Sequence, residues 1–325
     1  MARLHHSEKV LEAAQSESAA ARSPIAASWR RSLLLHRLTP DSDTERARVT
    51  EAEFRVARER LSRLIAVANP TLDRLFQSVG GTGCCVLLTD FEGLVVEGRV
   101  SEGYGKTFDR WGLCRGAVWS ESAEGTNGIG TCLVEKRPVA IHRDQHFRSS
   151  NTAMSCMDAP IFGPDGRLIA ALDVSSCRAD LTEGFAQLIS TAVIDAARQI
   201  ESDHFLAAFQ SSCPGARVVV GAKHGPAGAV LLAVDRDDLV IGATAAARKL
   251  YGLTDEMLAN PRPAADILAA PEGGDAPEGG GLEAAERSEL RRALARSGGN
   301  VSAAARSLGI GRATFYRRME RLGLA

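Results

Sequence analysis

No run of apolar residues in this 325-residue chain approaches the roughly 20 needed to cross a bilayer as a helix. The opening residues, MARLHHSEKVLEAAQSES, carry none of the apolar core of a secretory signal. A helical membrane protein and a conventionally secreted one are thereby excluded, and the expected location is the cytoplasm, with no membrane partner. No Gly-x-x-x-x-Gly-Lys-Ser/Thr loop occurs, which excludes a phosphate-loop nucleotide site. The string GTNGIG is not the dinucleotide fingerprint either, because its glycines are wrongly spaced. The seven cysteines are odd in number and lack metal-finger spacing, so in a reducing compartment they are most simply free thiols. There is no internal repeat, and the net charge is only −1.

That near-neutrality hides a local surplus. From Glu286 to Ala325 there are nine arginines against three glutamates, a net of +6. Within this stretch NVSAAARSLGIGRATFYRRMERLGLA reads as two helices around a tight turn. Asn300 suits an N-cap, because its side chain can accept from an orphan backbone N–H. A helix from Val301 to Leu308 follows; Gly309 supplies the turn, and Gly311 opens a second helix from Arg312 to Leu322. Ala304, Ala305 and Leu308 would pack on Ile310, Phe315, Met319 and Leu322. The arrangement suits a recognition helix entering the major groove of double-stranded DNA, with phosphate neutralisation adding salt-sensitive affinity. A solvated Arg-rich hairpin with no ligand is the competing reading. The segment resembles the Fis-type DNA-binding domain of bacterial regulators. That resemblance implies an earlier helix, Leu282 to Ser297, that helps form a homodimer. The candidate DNA-binding residues are Asn300, Arg312, Thr314, Tyr316, Arg317, Arg318 and Arg321.

Upstream the chain divides by pattern. Residues 1–49 form a polar, Ala-rich tail, expected to be mobile over its first 22 residues, and then a helix opened by Ser23-Pro24. Apolar residues at three- and four-residue steps predict a helix over 50–79, bent or divided at Pro70. Short strands follow around 84–89, 94–96, 138–142, 157–162 and 168–174, and then a helix over 181–209. Helix, antiparallel strands, helix is an α+β domain, placed at 50–210. A smaller α+β unit follows at 211–270. PEGGDAPEGGG at 271–281 reads as a flexible linker, and the all-α DNA-binding domain occupies 282–325.

The middle domain carries Trp119-Ser120-Glu121, Gly125 to Thr131, His146-Phe147, Cys156, Ala159-Pro160-Ile161 and Leu172-Asp173-Val174-Ser175. In this order they resemble the GAF sensor domain of acetoin-catabolism-type regulators. The N-terminal SWRRSLLLHRLTPD is similar to the opening of those proteins, and LLAVDRDDLVIGATAAARKLYGL to their PAS-like segment. The resemblance implies a central antiparallel sheet, helices on one side, and a small-molecule pocket under mobile loops. Candidate lining residues are Trp119, Glu121, Thr126, Asn127, His146, Cys156 and Asp173. Against this stands a structural reading, in which Gly-Thr-Asn-Gly caps a helix and Trp119 is core.

Regulators of this kind usually carry a sigma-54-directed ATPase between sensor and DNA-binding domains. The missing phosphate loop, and the roughly 70 residues between Phe209 and the linker's end, leave no place for one. The expectation is an α+β multidomain, non-enzymatic transcriptional regulator that answers a small-molecule effector without ATPase activity. It needs no cofactor and no metal, and RNA polymerase is a further partner left open. Three alternatives stay open. One is a redox or metal sensor built on the cysteines and His146. Another is a cysteine-dependent reductase of free methionine sulfoxide. The third is an interaction module that binds DNA non-specifically.

Overall fold

The computed structural model describes residues 5–42, 46, 48–212, 215–221, 228–235, 238–268, 281–297 and 299–324. The proposed linker therefore lies outside the described residues, except Gly281, which opens a helix.

Three short helices begin the chain: α1 (His6–Gln15), α2 (Glu17–Arg22) and α3 (Pro24–Arg30), which continues as a π-helical turn over Arg31–Leu35. Ser23 caps α3 and Pro24 occupies its first position, as the dipeptide predicts. Within the segment expected to be mobile, His6–Gln15 and Glu17–Arg22 are thus helical. Val10 and Ala14 of α1 bury themselves against Trp29 and Phe147, which supplies the apolar contact an Ala-rich stretch lacks alone.

The predicted long helix is two, α4 (Glu51–Arg60) and α5 (Ser62–Val79). The break falls at Leu61, not at Pro70, which lies inside an unbroken α5. Proline leaves the carbonyl of Ala66 without its helical donor, but Ala66 is solvent-exposed, so water can satisfy it.

The sheet follows: β1 (Cys84–Asp90), β2 (Val95–Arg99), β3 (Val139–His142), β4 (Ser155–Phe162) and β5 (Leu168–Ser176), in the order β2-β1-β5-β4-β3, with every pairing antiparallel. Between β2 and β3 run α6 (Glu102–Arg110), α7 (Glu121–Glu124) and α8 (Gly128–Glu135); α9 (Glu183–Ser212) follows β5. Alternation splits the sheet into two cores. Cys84, Val86, Leu88, Met157, Ala159, Leu172 and Val174 face α5 and α9. Cys85, Leu87, Cys156 and Ala171 face the other way, toward Phe108, Trp119, Ile129 and Leu133. Helices therefore cover part of the inner face as well, where the resemblance implies helices on one side and mobile loops over a pocket.

The next unit has a three-stranded antiparallel sheet, β6 (Arg217–Val220), β7 (Leu231–Val234) and β8 (Val240–Ala243), with α10 (Ala245–Tyr251), α11 (Asp255–Ala259) and α12 (Ala264–Leu268). It has its own core around Leu232, Val240 and Ala247. The chain ends in three helices, α13 (Gly281–Arg296), α14 (Val301–Ser307) and α15 (Arg312–Arg321). Their common core is Leu290, Ala293, Ala304, Ala305, Phe315 and Leu322. No helix among the described residues is long and apolar enough to cross a membrane.

Candidate nucleic-acid interface and sensor site

The C-terminal helices form as their residues dictate. Asn300 Oδ1 accepts from the backbone N–H of Ser302 at 3.0 Å and of Ala303 at 3.1 Å. Its role in the structure is therefore the cap of α14. Gly309 sits at φ +64°, a turn conformation that a side chain would strain. Burial of Phe315 fixes the rotation of α15, so Arg312, Tyr316 and Arg317 point outward, with Thr314 half-buried at the edge. The Arg312 guanidinium lies 5.6 Å from the centre of the Tyr316 ring, which preorders it without neutralising it. Arg318 and Arg321 are placed differently. Both pair with Glu286 on α13, Arg318 at 3.1 Å. They brace the recognition helix against its own domain. Of the seven candidates, the structure brings Arg312, Tyr316 and Arg317 onto one open face.

The sensor candidates fall into two groups, flanked by two residues with scaffold roles. Trp119 is buried in the inner core; its indole N–H donates to Gly112 O at 2.8 Å, and Arg46 stacks 4.6 Å from the ring centre. Asn127 caps α8, accepting from Gly130 N–H at 2.8 Å.

Glu121 and Thr126 form the first group, and α3 occupies it. Ser28 Oγ donates to Glu121 Oε2 at 2.8 Å and lies 2.7 Å from Thr126 Oγ1; Thr131 Oγ1 donates to the same carboxylate at 3.2 Å. Arg31 donates to Glu121 Oε1 at 2.8 Å and to Glu135 at 2.8 Å. These contacts raise the Arg31 pKa further, the hydrogen bond to Glu121 contributing most. Sequence reasoning missed Ser28 and Arg31, since nothing local tells a helix which loop it will cover.

His146, Cys156 and Asp173 form the second group, on the inner face of β4 and β5. His146 Nδ1 lies 2.9 Å from Arg143 O, and since a carbonyl only accepts, Nδ1 carries the proton. Nε2 is then an acceptor for the Cys156 thiol at 3.5 Å. Burial lowers the His146 pKa to about 4 and raises that of Cys156 well above its usual range. The pair is neutral, not a thiolate–imidazolium couple. Ser175 Oγ lies 3.1 Å from Cys156 Sγ and 3.0 Å from Asp173 Oδ1.

Asp158 joins this cluster and was not among the candidates. It pairs with Asp173 across β4 and β5. Both carboxyls are buried, and among the described residues Asp158 Oδ1, Asp158 Oδ2 and Asp173 Oδ2 have no hydrogen-bond partner outside the pair itself. Burial first, and the neighbouring carboxylate second, push the Asp158 pKa well above the carboxylate range; burial pushes that of Asp173 up to about 7. The pair therefore holds a shared proton near neutrality. Gly128 is pressed onto it, and a Cβ there would overlap Asp158 Oδ2 and Cys156 Cβ. The signal that could have found Asp158 is alternation, which places it on the same face as Cys156.

Cys84, Cys85 and Cys132 are buried and fit a packing role. Cys84 and Cys85 face opposite cores. Burial raises the pKa of Cys85 and Cys132, leaving inert thiols. Among the described residues no three His, Cys, Asp or Glu side chains form a group that could hold a metal ion.

Comparisons with known proteins agree with this layout. The GAF domain family matches residues 63–200, and the Fis family of bacterial regulatory proteins matches residues 281–322. The acetoin catabolism regulatory protein of Cupriavidus necator is 32% identical over 181 residues, 56% of this chain and 27% of that protein. The acetoin dehydrogenase operon transcriptional activator AcoR of Bacillus subtilis is 32% identical over 138 residues, 42% of this chain and 22% of that protein. The chain thus spans about a quarter of the length of these relatives. Among solved structures, a chain of the E. coli DhaR(N)–DhaL complex superposes with a TM-score of 0.51 at 16% identity. That match covers 71% of this chain and 76% of that one, a likeness of fold. Residues 63–200 are a GAF domain and residues 281–322 a Fis-family helix-turn-helix, joined in one chain.

Proposed function

We propose that this protein is a cytoplasmic, sequence-specific DNA-binding regulator of transcription, whose GAF domain responds to a small-molecule effector. One observation carries the reading: a helix-turn-helix with an open Arg312–Tyr316–Arg317 face shares a chain with a GAF domain. Two basic groups and an aromatic ring on one face suit base-edge and phosphate contacts. Two copies paired through α13 would present two such faces to half-sites about one helical turn apart.

The effector site is assigned to the inner face of the sheet, around His146, Cys156, Asp158 and Asp173. One proton shared by the two carboxyls cannot satisfy Asp158 Oδ1, Asp158 Oδ2 and Asp173 Oδ2 together, and a bound molecule can supply the missing donor. The names of the relatives favour a small carbonyl or alcohol. Trp119, Glu121, Thr126 and Asn127 then hold the walls of the site. The β6–β8 unit, read as PAS-like, passes the state of the sensor to the DNA-binding helices. Effector binding would shift the arrangement of the paired domains by as much as its affinity differs between the two.

With no phosphate loop in the sequence, regulation would proceed without ATP hydrolysis. Recruitment of RNA polymerase, repression, or competition with longer relatives for their sites would serve. Footprinting the full chain on fragments of its genome tests the reading. Protected, two-fold symmetric sites are the expected result. Uniform, salt-sensitive retention of every fragment would overturn it.

A further inference from the structure

A cleft of about 310 Å³ lies between the GAF domain and the unit that follows it. Its floor is apolar, built from Pro160 and Phe162 of β4, Ile194 and Ala197 of α9, and Ala246 of α10. Its rim is cationic, with Lys136 and Arg137 after α8, Arg198 on α9 and Lys249 on α10. Arg137 and Arg198 each have an acidic neighbour, Glu135 at 3.7 Å and Asp195 at 3.6 Å. Lys136 and Lys249 have no ion-pair partner among the described residues.

Lys136 stands at φ +51°, the left-handed position that ends α8. Glycine or asparagine is favoured there, so the ammonium is kept at a backbone cost. The one carboxyl in the lining, Glu201, is about half neutral near pH 7, because burial raises its pKa to about 7, and one of its oxygens already accepts from Phe162 N–H at 2.7 Å. The cleft thus sets two uncommitted positive charges, one from each unit, over an apolar floor, outweighing the partial charge of its one carboxyl.

We propose that this cleft binds a small organic carboxylate, its apolar body on the floor and its charge between Lys136 and Lys249. The ligand would bridge the sensor domain and the next unit, and would tie the position of α10 to that of α9. The cationic rim disfavours a cation, and a neutral alcohol would forgo the charge-assisted contacts.

Isothermal titration calorimetry on the full chain tests this, with benzoate and valerate as probes and benzyl alcohol as the uncharged control. Saturable binding of at least one carboxylate is expected, with none for the alcohol. Lys249→Gln and Lys136→Asn should each weaken it roughly tenfold or more, since each removes a charge-assisted contact. Both residues are exposed, so unchanged melting curves should accompany the loss. Three results would overturn the proposal: no saturable heat from either carboxylate, equal binding of benzyl alcohol, or undiminished affinity in both variants. The last would place the anion elsewhere, as on the arginines of α15.

Discussion

Asp158 and Asp173 face each other across β4 and β5, and no cation among the described residues stands beside them. Two carboxylates so placed cannot both ionise cheaply in a buried site. Their pKa values are raised on folding, to about 7 for Asp173 and well up for Asp158. From about pH 4, where the unfolded carboxyls titrate, to pH 7 the folded chain keeps protons that the unfolded chain has released. The stabilisation is full at the acidic end. It is lost as pH rises through the folded values, by at most about 1.4 kcal/mol per pH unit for each group. Glu201 adds to the same slope. Thermal melts at a series of pH values should show a decline from pH 5 to 8, less steep in Asp173→Asn. An identical slope in that variant would remove the pair as its cause.

Arg31→Ala should loosen the N-terminal helices from the GAF domain. Glu121 is 1% exposed at its side chain and would lose its only cationic partner among the described residues while staying buried. Ser28 and Thr131 still donate to it, which limits the cost to about 2–3 kcal/mol. Urea unfolding measures the loss, and limited proteolysis should show earlier cleavage within residues 5–35. Stability within error of the parent would mean the pair contributes nothing net.

Gly128→Ala and Gly105→Ala make a contrasting pair. At Gly128 a Cβ overlaps Asp158 and Cys156, so alanine should cost about 1–3 kcal/mol through overpacking. At Gly105, inside α6, a Cβ meets nothing within 4 Å. Alanine there should stabilise by about 0.5–1 kcal/mol through helix propensity. Denaturant midpoints of the two variants should therefore move in opposite directions.

The arginines of α15 should separate in a gel-shift titration. Arg312→Ala should lose about 1–3 kcal/mol of specific affinity if it reads a guanine edge. Arg317→Ala should weaken all sequences alike and lower the salt slope by about 1. Arg321→Ala should instead lower the melting temperature of the DNA-binding domain, because its partner is Glu286. Loss of specificity on removing Arg321, with melting unchanged, would reverse this assignment.

Gly311 opens α15 without a side-chain cap. A Cβ there would have only Thr314 Oγ1 nearby, at 3.9 Å, so serine fits. Gly311→Ser should stabilise the domain by a few tenths of a kcal/mol. Chemical denaturation of the C-terminal helices would register it.

Local chemistry decided much of this protein before any tertiary contact. Asn300, Gly309 and the apolar spacing around Phe315 specify the helix-turn-helix, since caps, turns and periodicity are read within a few residues. Gly163-Pro164-Asp165-Gly166 marks the β4–β5 turn, and alternation separates the two faces of Cys84 and Cys85. Three things needed the folded chain. Pro70 was tolerated because Ala66 faces water, which the sequence does not say. Arg318 and Arg321 were drawn to Glu286, about 30 positions earlier, while Arg312 and Arg317 were left open; one helix carries all four, and only packing turns them apart. Last, the strand register slips by one residue beside Phe162, so that Phe162 meets Leu168 but Ile161 meets Ala170. Without that bulge Asp158 would oppose Leu172. A single extra residue in a period-two structure moves every later side chain by one place, and here it sets two buried carboxyls face to face.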